Sequence, residues 1–279
     1  MNDTAPLIPP GYLFSQHSLS TYLRCPRRFL YKYVDHQPWP QPEDEDPREY
    51  EEHLARGRTL HTWLERQHLG LDMEPIVAAC EDERLWTWWR AAQSFDRTAL
   101  PSGVREAELP LVVPLGSYGL YARYDYVALD PGGEAVVVDW KTLEARPSLR
   151  ALRERIQTRV YLYALVAAGH VLSGGPPVVP NQVRMLYWFA NFPEDTATIP
   201  YSLQSYRSDA RDLCQLVEEV AHQPRESFVC ADDPRLCARC SYCSLCGRDK
   251  TVPSADVQDW LDEDIDFGLD LDEAEELEY

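Results

Sequence analysis

The chain of 279 residues, 44% of them hydrophobic, is long enough to bury a substantial core. It has no run of 18 or more apolar residues and no basic-then-apolar leader at Met1 to Pro6, so a cytoplasmic protein with no membrane segment is expected. The formal charge of −19 argues against a uniformly basic surface, yet residues 253–279 carry twelve Asp or Glu and no Lys or Arg, leaving 34 acids against 27 bases elsewhere.

Near the N-terminus Ser18 is expected to cap a short helix bearing Leu19, Tyr22 and Leu23, and Pro26 to start a second with Phe29, Leu30, Tyr33 and Val34 on one side. Cys25 lies at the joint. A residue before proline is pushed out of helical geometry, so its side chain can leave the helix surface and reach a ligand. The acidic, Pro-rich stretch from Gln37 to Pro47 reads as a surface loop, and Tyr50 to Gln67 and Glu81 to Phe95 read as helices. Arg24, Arg27, Arg28 and Lys32 form one local basic stretch, and Arg146, Arg150, Arg153, Arg155 and Arg159 form another.

From Val104 the period changes. Glu106 to Val113, Leu120 to Leu129 and Ala135 to Trp140 are rich in β-branched and aromatic residues and are separated by Gly or Pro turns, as in a three-strand meander. Helical periodicity returns from Leu149 to Ala168, a strand follows at Gln182 to Phe189, and a helix at Ser205 to His222. The order predicts an α/β protein. The segment from Asp256 to Tyr279 alternates acids with apolar residues and is expected to be disordered and solvated; a sharper reading is a partner-docking or DNA-mimicking tail that covers a basic groove.

Side chains alternate along a strand, so Asp139 and Lys141 in Val-Val-Val-Asp-Trp-Lys-Thr project together while Trp140 points away. The Asp130-Pro-Gly-Gly turn lets the preceding strand pair back and bring Asp125 toward Asp139. Two converging carboxylates form a hard oxygen site suited to Mg²⁺ or Mn²⁺, which can lower the pKa of a bound water and neutralise phosphate charge. Alone, Asp-x-Lys on a strand is equally the pattern of a surface ion pair.

Asp125, the hairpin, Asp139-Trp140-Lys141-Thr142 and Gln157-Thr-Arg-Val-Tyr161 resemble the PD-(D/E)XK nucleases of the RecB type. Ser18-Leu-Ser-Thr-Tyr-Leu-Arg-Cys-Pro-Arg-Arg-Phe29 is similar to that family's N-terminal helix motif, Gly57-Arg-Thr-Leu-His61 to its Gly-x-x-x-His motif, and Glu108 to an upstream acidic position. The resemblance runs in order from residue 15 to 250. It implies a restriction-endonuclease-like mixed central sheet flanked by helices, with a helical lobe over residues 1–100 and a nuclease core over 101–229. It also implies that His61, Asp125 and Asp139 hold the metal, that Lys141 serves the nucleophilic water, and that Gln157 and Tyr161 support the site and DNA. Gln157 and Tyr161 do lie four apart, on one helix face. One departure is Ala122, where the family usually has Gly three residues before the metal-binding Asp.

Cys237, Cys240, Cys243 and Cys246 recur every three residues, which points to metal ligation in a reducing compartment. Four thiols this tightly spaced cannot easily wrap one tetrahedral ion, although a zinc knuckle of all four is the competing reading. A comparable ferredoxin run gives three ligands to one cluster, which leaves a place for a remote cysteine such as Cys25. RecB-type nucleases that carry a 4Fe-4S cluster have one N-terminal Cys and a C-terminal Cys-x2-Cys-x5-Cys, a spacing that Cys237, Cys240 and Cys246 resemble. Cys243 is then the extra residue, or it replaces Cys246. Residues 230–252 would form the cluster segment, packed on the N-terminal lobe, and Cys80, Cys214 and Cys230 are expected to be ordinary buried thiols.

The function implied by the resemblance is a deoxyribonuclease acting as an exonuclease on single-stranded DNA or DNA ends. Alternatives are a CRISPR adaptation nuclease that trims spacers beside an integrase, and a catalytically silent DNA-binding or helicase-partner subunit. The intact Asp125, Asp139 and Lys141 weigh against the silent reading. No Gly-x-x-x-x-Gly-Lys phosphate loop is present, so any helicase motor must be another chain.

Overall fold

The computed structural model describes residues 6–38, 48–174, 177–237 and 240–248. The expected loop before Pro47 lies mostly, and the acidic tail from residue 253 wholly, outside the described residues.

The apolar run Ala135–Lys141 (β4) is buried at every residue, as a strand covered on both faces must be. It pairs antiparallel with Tyr118–Leu129 (β3), from Leu129↔Ala135 to Tyr126↔Val138, so the expected hairpin forms around the Asp130 to Glu134 turn. Val104–Leu115 (β2) pairs antiparallel with the whole of β3. Three short or later strands complete the sheet: Leu13–Ser15 (β1), parallel to β3, Val183–Phe189 (β5), parallel to β4, and Ala197–Pro200 (β6), antiparallel to β5. The sheet is therefore mixed, in the order β1-β3-β4-β5-β6 with β2 on β3.

Helices cover both faces. Gln16–Arg24 (α1), Pro26–Phe29 (α2), Ile156–Ser173 (α7) and Leu203–His222 (α8) contribute to a core with Leu120, Tyr124, Val137 and Tyr187. On the other face, Arg48–His68 (α3), Glu74–Ala78 (α4) and Glu83–Gln93 (α5) bury Trp63, Trp88 and Trp89 against Val136, Val138, Trp140 and Trp188. Among the described residues no helix is long and apolar enough to cross a membrane.

Two expectations shift, and three short elements are new. The first helix begins earlier, because β1 ends at Ser15, which caps it: Ser15 Oγ accepts from Ser18 N at 3.1 Å while Ser18 Oγ accepts from Ser15 N at 2.9 Å. Ser18 is thus the third helical residue. The expected helix from Leu149 is two helices, Leu149–Glu154 (α6) and α7, parted at Arg155, whose ψ of 137° is extended. The strands β1 and β6 and the helix α4 had no legible period, being three to five residues long.

Candidate metal and catalytic site

The site forms where β3 and β4 part. Because β2 occupies one edge of β3 along its length, β1 and β4 must share the other edge, β1 at Gly119 to Tyr121 and β4 from Tyr126 onward. Asp125 lies one residue beyond the end of the β4 ladder, opposite Asp139 in register. Past that point the Trp140 peptide group has no β3 partner, and buried backbone groups must find other ones. Its N–H donates to Asp125 Oδ2 at 2.8 Å, and its carbonyl accepts from His61 Nε2 at 2.9 Å.

A carbonyl only accepts, so the Nε2 proton is fixed and Nδ1 of His61 faces the carboxylates. Nδ1 lies 3.5 Å from Asp125 Oδ1 and 3.9 Å from Glu108 Oε1. One ligand atom from each of His61, Glu108 and Asp125 lies within 4.8 Å of the others. Burial favours the neutral ring, but the Asp125 and Glu108 carboxylates more than reverse it and raise His61 to about 10. Burial likewise opposes the Asp125 carboxylate, and His61 and Lys141 outweigh it, so that its pKa falls below the usual range.

A backbone irregularity delivers these carboxylates. Leu120, Ala122 and Tyr124 face the first core, whereas Tyr126 and Ala128, of the same parity, face the second; Leu109 and Ala107 on β2 divide the same way. Both strands therefore change face between these residues, at Asp125 and at Glu108 opposite it. Glu108 takes a φ of +50°, a left-handed conformation that costs a non-glycine residue on the order of 1 kcal/mol. Its Oε2 accepts from Arg123 Nε at 2.8 Å.

The second half of the site is on the α7 side. Asp139 Oδ2 lies 3.0 Å from Lys141 Nζ, and its Oδ1 accepts from Gln157 Nε2 at 2.8 Å. Lys141 Nζ in turn donates to Gln157 Oε1 at 3.0 Å. The break at Arg155 starts α7 afresh, and Gln157 sits in its first turn with the amide bridging acid and base. These groups are buried, from 0% exposed at Asp139 to 9% at Lys141 and Asp125. Tyr161, one turn on, is buried with its ring 5.1 Å from that of Tyr124, whose hydroxyl donates to the Tyr161 carbonyl at 3.1 Å. Ala122 is fully buried in the first core.

The structure thus brings His61, Asp125, Asp139, Lys141 and Gln157 to one place, whereas Tyr161, one turn further along α7, packs on Tyr124. Glu108 is more central than its sequence context suggested. Its left-handed backbone, which aims it at His61, has no signature in Ala-Glu-Leu.

The cysteines gather at the chain ends. Cys240 is raised chiefly by burial, with Cys25 and Cys237 adding to it and Arg28 opposing. Cys246 is pushed up to about 12 by burial and by a hydrogen bond with Cys230, with Cys240 and Cys25 also near. Arg248 donates to Cys237 Sγ at 3.7 Å. Cys230, expected to be an ordinary buried thiol, is instead partly exposed and lies beside Cys246. Tyr242 donates to the Gln37 carbonyl at 3.2 Å and packs on Tyr31, so the C-terminal segment lies against the first helices.

A family model for the PD-(D/E)XK nuclease superfamily matches residues 13–247. No curated protein matches the chain. Solved structures that match include SSO0001, 18% identical over 86% of this chain and 87% of that one with a TM-score of 0.41. A Eubacterium rectale protein provisionally described as an exonuclease is 11% identical over 88% of this chain and 91% of that one, with a TM-score of 0.47. At these values neither bears on the site. The family match spans the sheet, the flanking helices and the buried acid–lysine site, and the chain belongs to the PD-(D/E)XK nuclease superfamily, with its restriction-endonuclease-like fold.

Proposed function

We propose that the chain is a metal-dependent DNA nuclease of the RecB type, hydrolysing phosphodiester bonds as an exonuclease on single-stranded DNA or DNA ends. The observation that carries this reading is the meeting of two polar groups where β3 and β4 part: buried His61 and Asp125 with half-buried Glu108 on one side, buried Asp139, Lys141 and Gln157 on the other. Burying this many charged groups is costly unless they are paired or hold an ion. One imidazole nitrogen with several carboxylate oxygens fits a hard divalent cation, and His61, Asp125 and Asp139 would hold it, with Glu108 as a further carboxylate. Bound there, Mg²⁺ or Mn²⁺ would supply charge neutralisation at the phosphate and a more acidic attacking water.

The protein's own groups do the rest. Gln157 fixes Lys141 beside Asp139, leaving the ammonium as the donor that orients the attacking water and offsets charge developing on the phosphate. Tyr161, on α7, holds that helix to β3 through its contact with Tyr124. Trimming of CRISPR spacers or helicase-coupled degradation would use the same chemistry and differ in the partner.

The cysteines fit a 4Fe-4S cluster held by Cys25, Cys237, Cys240 and Cys246. Soft thiolates suit iron, and Cys25 and Cys237 lie near Cys240, with Cys25 and Cys240 near Cys246. Such a cluster would join Cys25 to a segment more than two hundred residues away, closing a long loop.

The test compares wild type with Lys141→Ala on end-labelled single- and double-stranded DNA in Mg²⁺ and Mn²⁺. Metal-dependent cleavage by the wild type, slowed about 100-fold or more in the variant, is expected. Absence of cleavage by the wild type in either metal would defeat the proposal.

A further inference from the structure

We infer that the arginine-rich bridge between Lys141 and Gln157 is a phosphate track, holding the backbone of the substrate strand beside the scissile bond. This rests on the nuclease reading above and names the surface that meets the nucleic acid. Residues 145–153, Ala-Arg-Pro-Ser-Leu-Arg-Ala-Leu-Arg, carry three positive charges and no negative one in a chain of net charge −19. So local an excess of cations, set between two members of the buried site, complements a polyanion in a way the rest of the acidic chain does not.

Both ends of the bridge are fixed to the site. At its start Ala190 N donates to the Lys141 carbonyl at 2.8 Å, and Asn191 Nδ2 donates to the Thr142 and Leu143 carbonyls at 3.2 and 2.9 Å. Arg146 follows, exposed, with Nη2 donating to the Thr196 carbonyl at 3.4 Å and the guanidinium 5.9 Å from the centre of the Phe189 ring. Phe189 is the register partner of Lys141, so this first arginine stands at the same end of the sheet as the lysine. Ser148 then caps α6, its Oγ accepting from Ala151 N at 3.1 Å. Leu152 is wholly buried, whereas Leu149, Arg150 and Arg153, which share one arc of the helix, are exposed. Arg150 pairs with Glu154 at 2.9 Å, but both side chains are mostly exposed, and a weak pair of this kind yields to a phosphate. Four residues after Arg153, Gln157 returns the chain to Asp139 and Lys141. The backbone that carries the three arginines is thus held in place before a strand arrives.

The test titrates a fluorescein-labelled oligo(dT) with the full chain in EDTA, so that binding is read without cleavage, and follows anisotropy at a series of NaCl concentrations. Each phosphate contact to a single strand contributes about 0.7 to the slope of log affinity against log salt. R146Q/R150Q/R153Q should therefore lower that slope by about 2 and weaken binding roughly 100-fold at about 0.1 M salt, and Arg153→Gln alone should lower it by about 0.7. R66Q/R90Q/R207Q removes the same charge from exposed arginines on α3, α5 and α8 and should match the wild type. Wild-type slope and affinity in the bridge variants would overturn the inference and assign the bridge to another anion, such as the chain's own acidic residues 253–279. An equal loss in R66Q/R90Q/R207Q would overturn it too, since net charge would then suffice. A wild type that cleaves in Mn²⁺ but shows no salt-dependent binding in EDTA refutes the track alone, whereas one that neither binds nor cleaves takes the nuclease reading with it.

Discussion

Replacing Gln157 by Leu removes the amide that holds Asp139 and Lys141 in register while leaving the shape of the buried side chain nearly intact. Two hydrogen bonds are lost, from Nε2 to Asp139 Oδ1 at 2.8 Å and from Lys141 Nζ to Oε1 at 3.0 Å, both to charged groups. Bonds of that kind contribute about 1.5–3 kcal/mol each, so roughly 3–6 kcal/mol is at stake. Burial of the leucine methyls returns about 1–2 kcal/mol, leaving a net loss of about 2–4 kcal/mol. In a chain of this size that lowers Tm by roughly 5–15 °C. Lys141 keeps its ion pair with Asp139 but loses its second anchor, and misplacement by about 1 Å lowers single-turnover cleavage about 100-fold. Calorimetry of the metal-free protein and a quenched cleavage assay measure the two effects. A Gln157→Leu protein that melts within about 1 °C of wild type and cleaves within about twofold of it would refute the bridging role.

Glu108→Gly relieves a left-handed φ but removes the Arg123 ion pair and a carboxylate that supports the charged His61, so metal-free stability should change by no more than about 1 kcal/mol while Mn²⁺ binding weakens in titration calorimetry. The raised pKa of His61 stabilises the metal-free fold fully below the unfolded value near 6.5 and is lost as pH rises through about 10. Thermal melts in chelator should therefore decline over that window, and His61→Gln should flatten the decline. Arg159→Leu strips buried Asp209 of its guanidinium, 2.6 Å away, while the Tyr201 hydroxyl still donates to it at 2.8 Å. Denaturant unfolding should show a loss of about 3 kcal/mol, and no change would sink the pairing as a stabilising contact.

The strand alternation that puts Asp139 and Lys141 on one side, and the turn that folds Asp125 back toward them, are both visible in the sequence because each depends on local periodicity. The four-residue spacing placed Gln157 and Tyr161 on one face, but not their division of labour: the amide meets Asp139 and Lys141, whereas the phenol ring packs on Tyr124. That outcome depends on the helix break at Arg155, which no proline or glycine announces. The face change at Glu108 and Asp125 was illegible for the same reason, since a backbone irregularity has no side-chain pattern of its own. Trp140 was readable only as a ring pointing away; its peptide group, freed where β4 leaves β3, is what ties His61 to Asp125. Cys230 reads as an ordinary buried thiol because the residues it meets are more than fifteen positions later or two hundred earlier in the chain.

Single-turnover cleavage of a 5′-labelled single-stranded oligonucleotide by wild type and Asp125→Asn, each in Mn²⁺ and in EDTA, tests the central claim most directly. The wild type should cut in Mn²⁺ and not in EDTA, and Asp125→Asn should be slower by about 10³-fold or more, since it loses a carboxylate from the metal group while keeping an oxygen for the Trp140 N–H. Cleavage that persists in EDTA, or an Asp125→Asn rate equal to wild type, would contradict a metal site centred on Asp125.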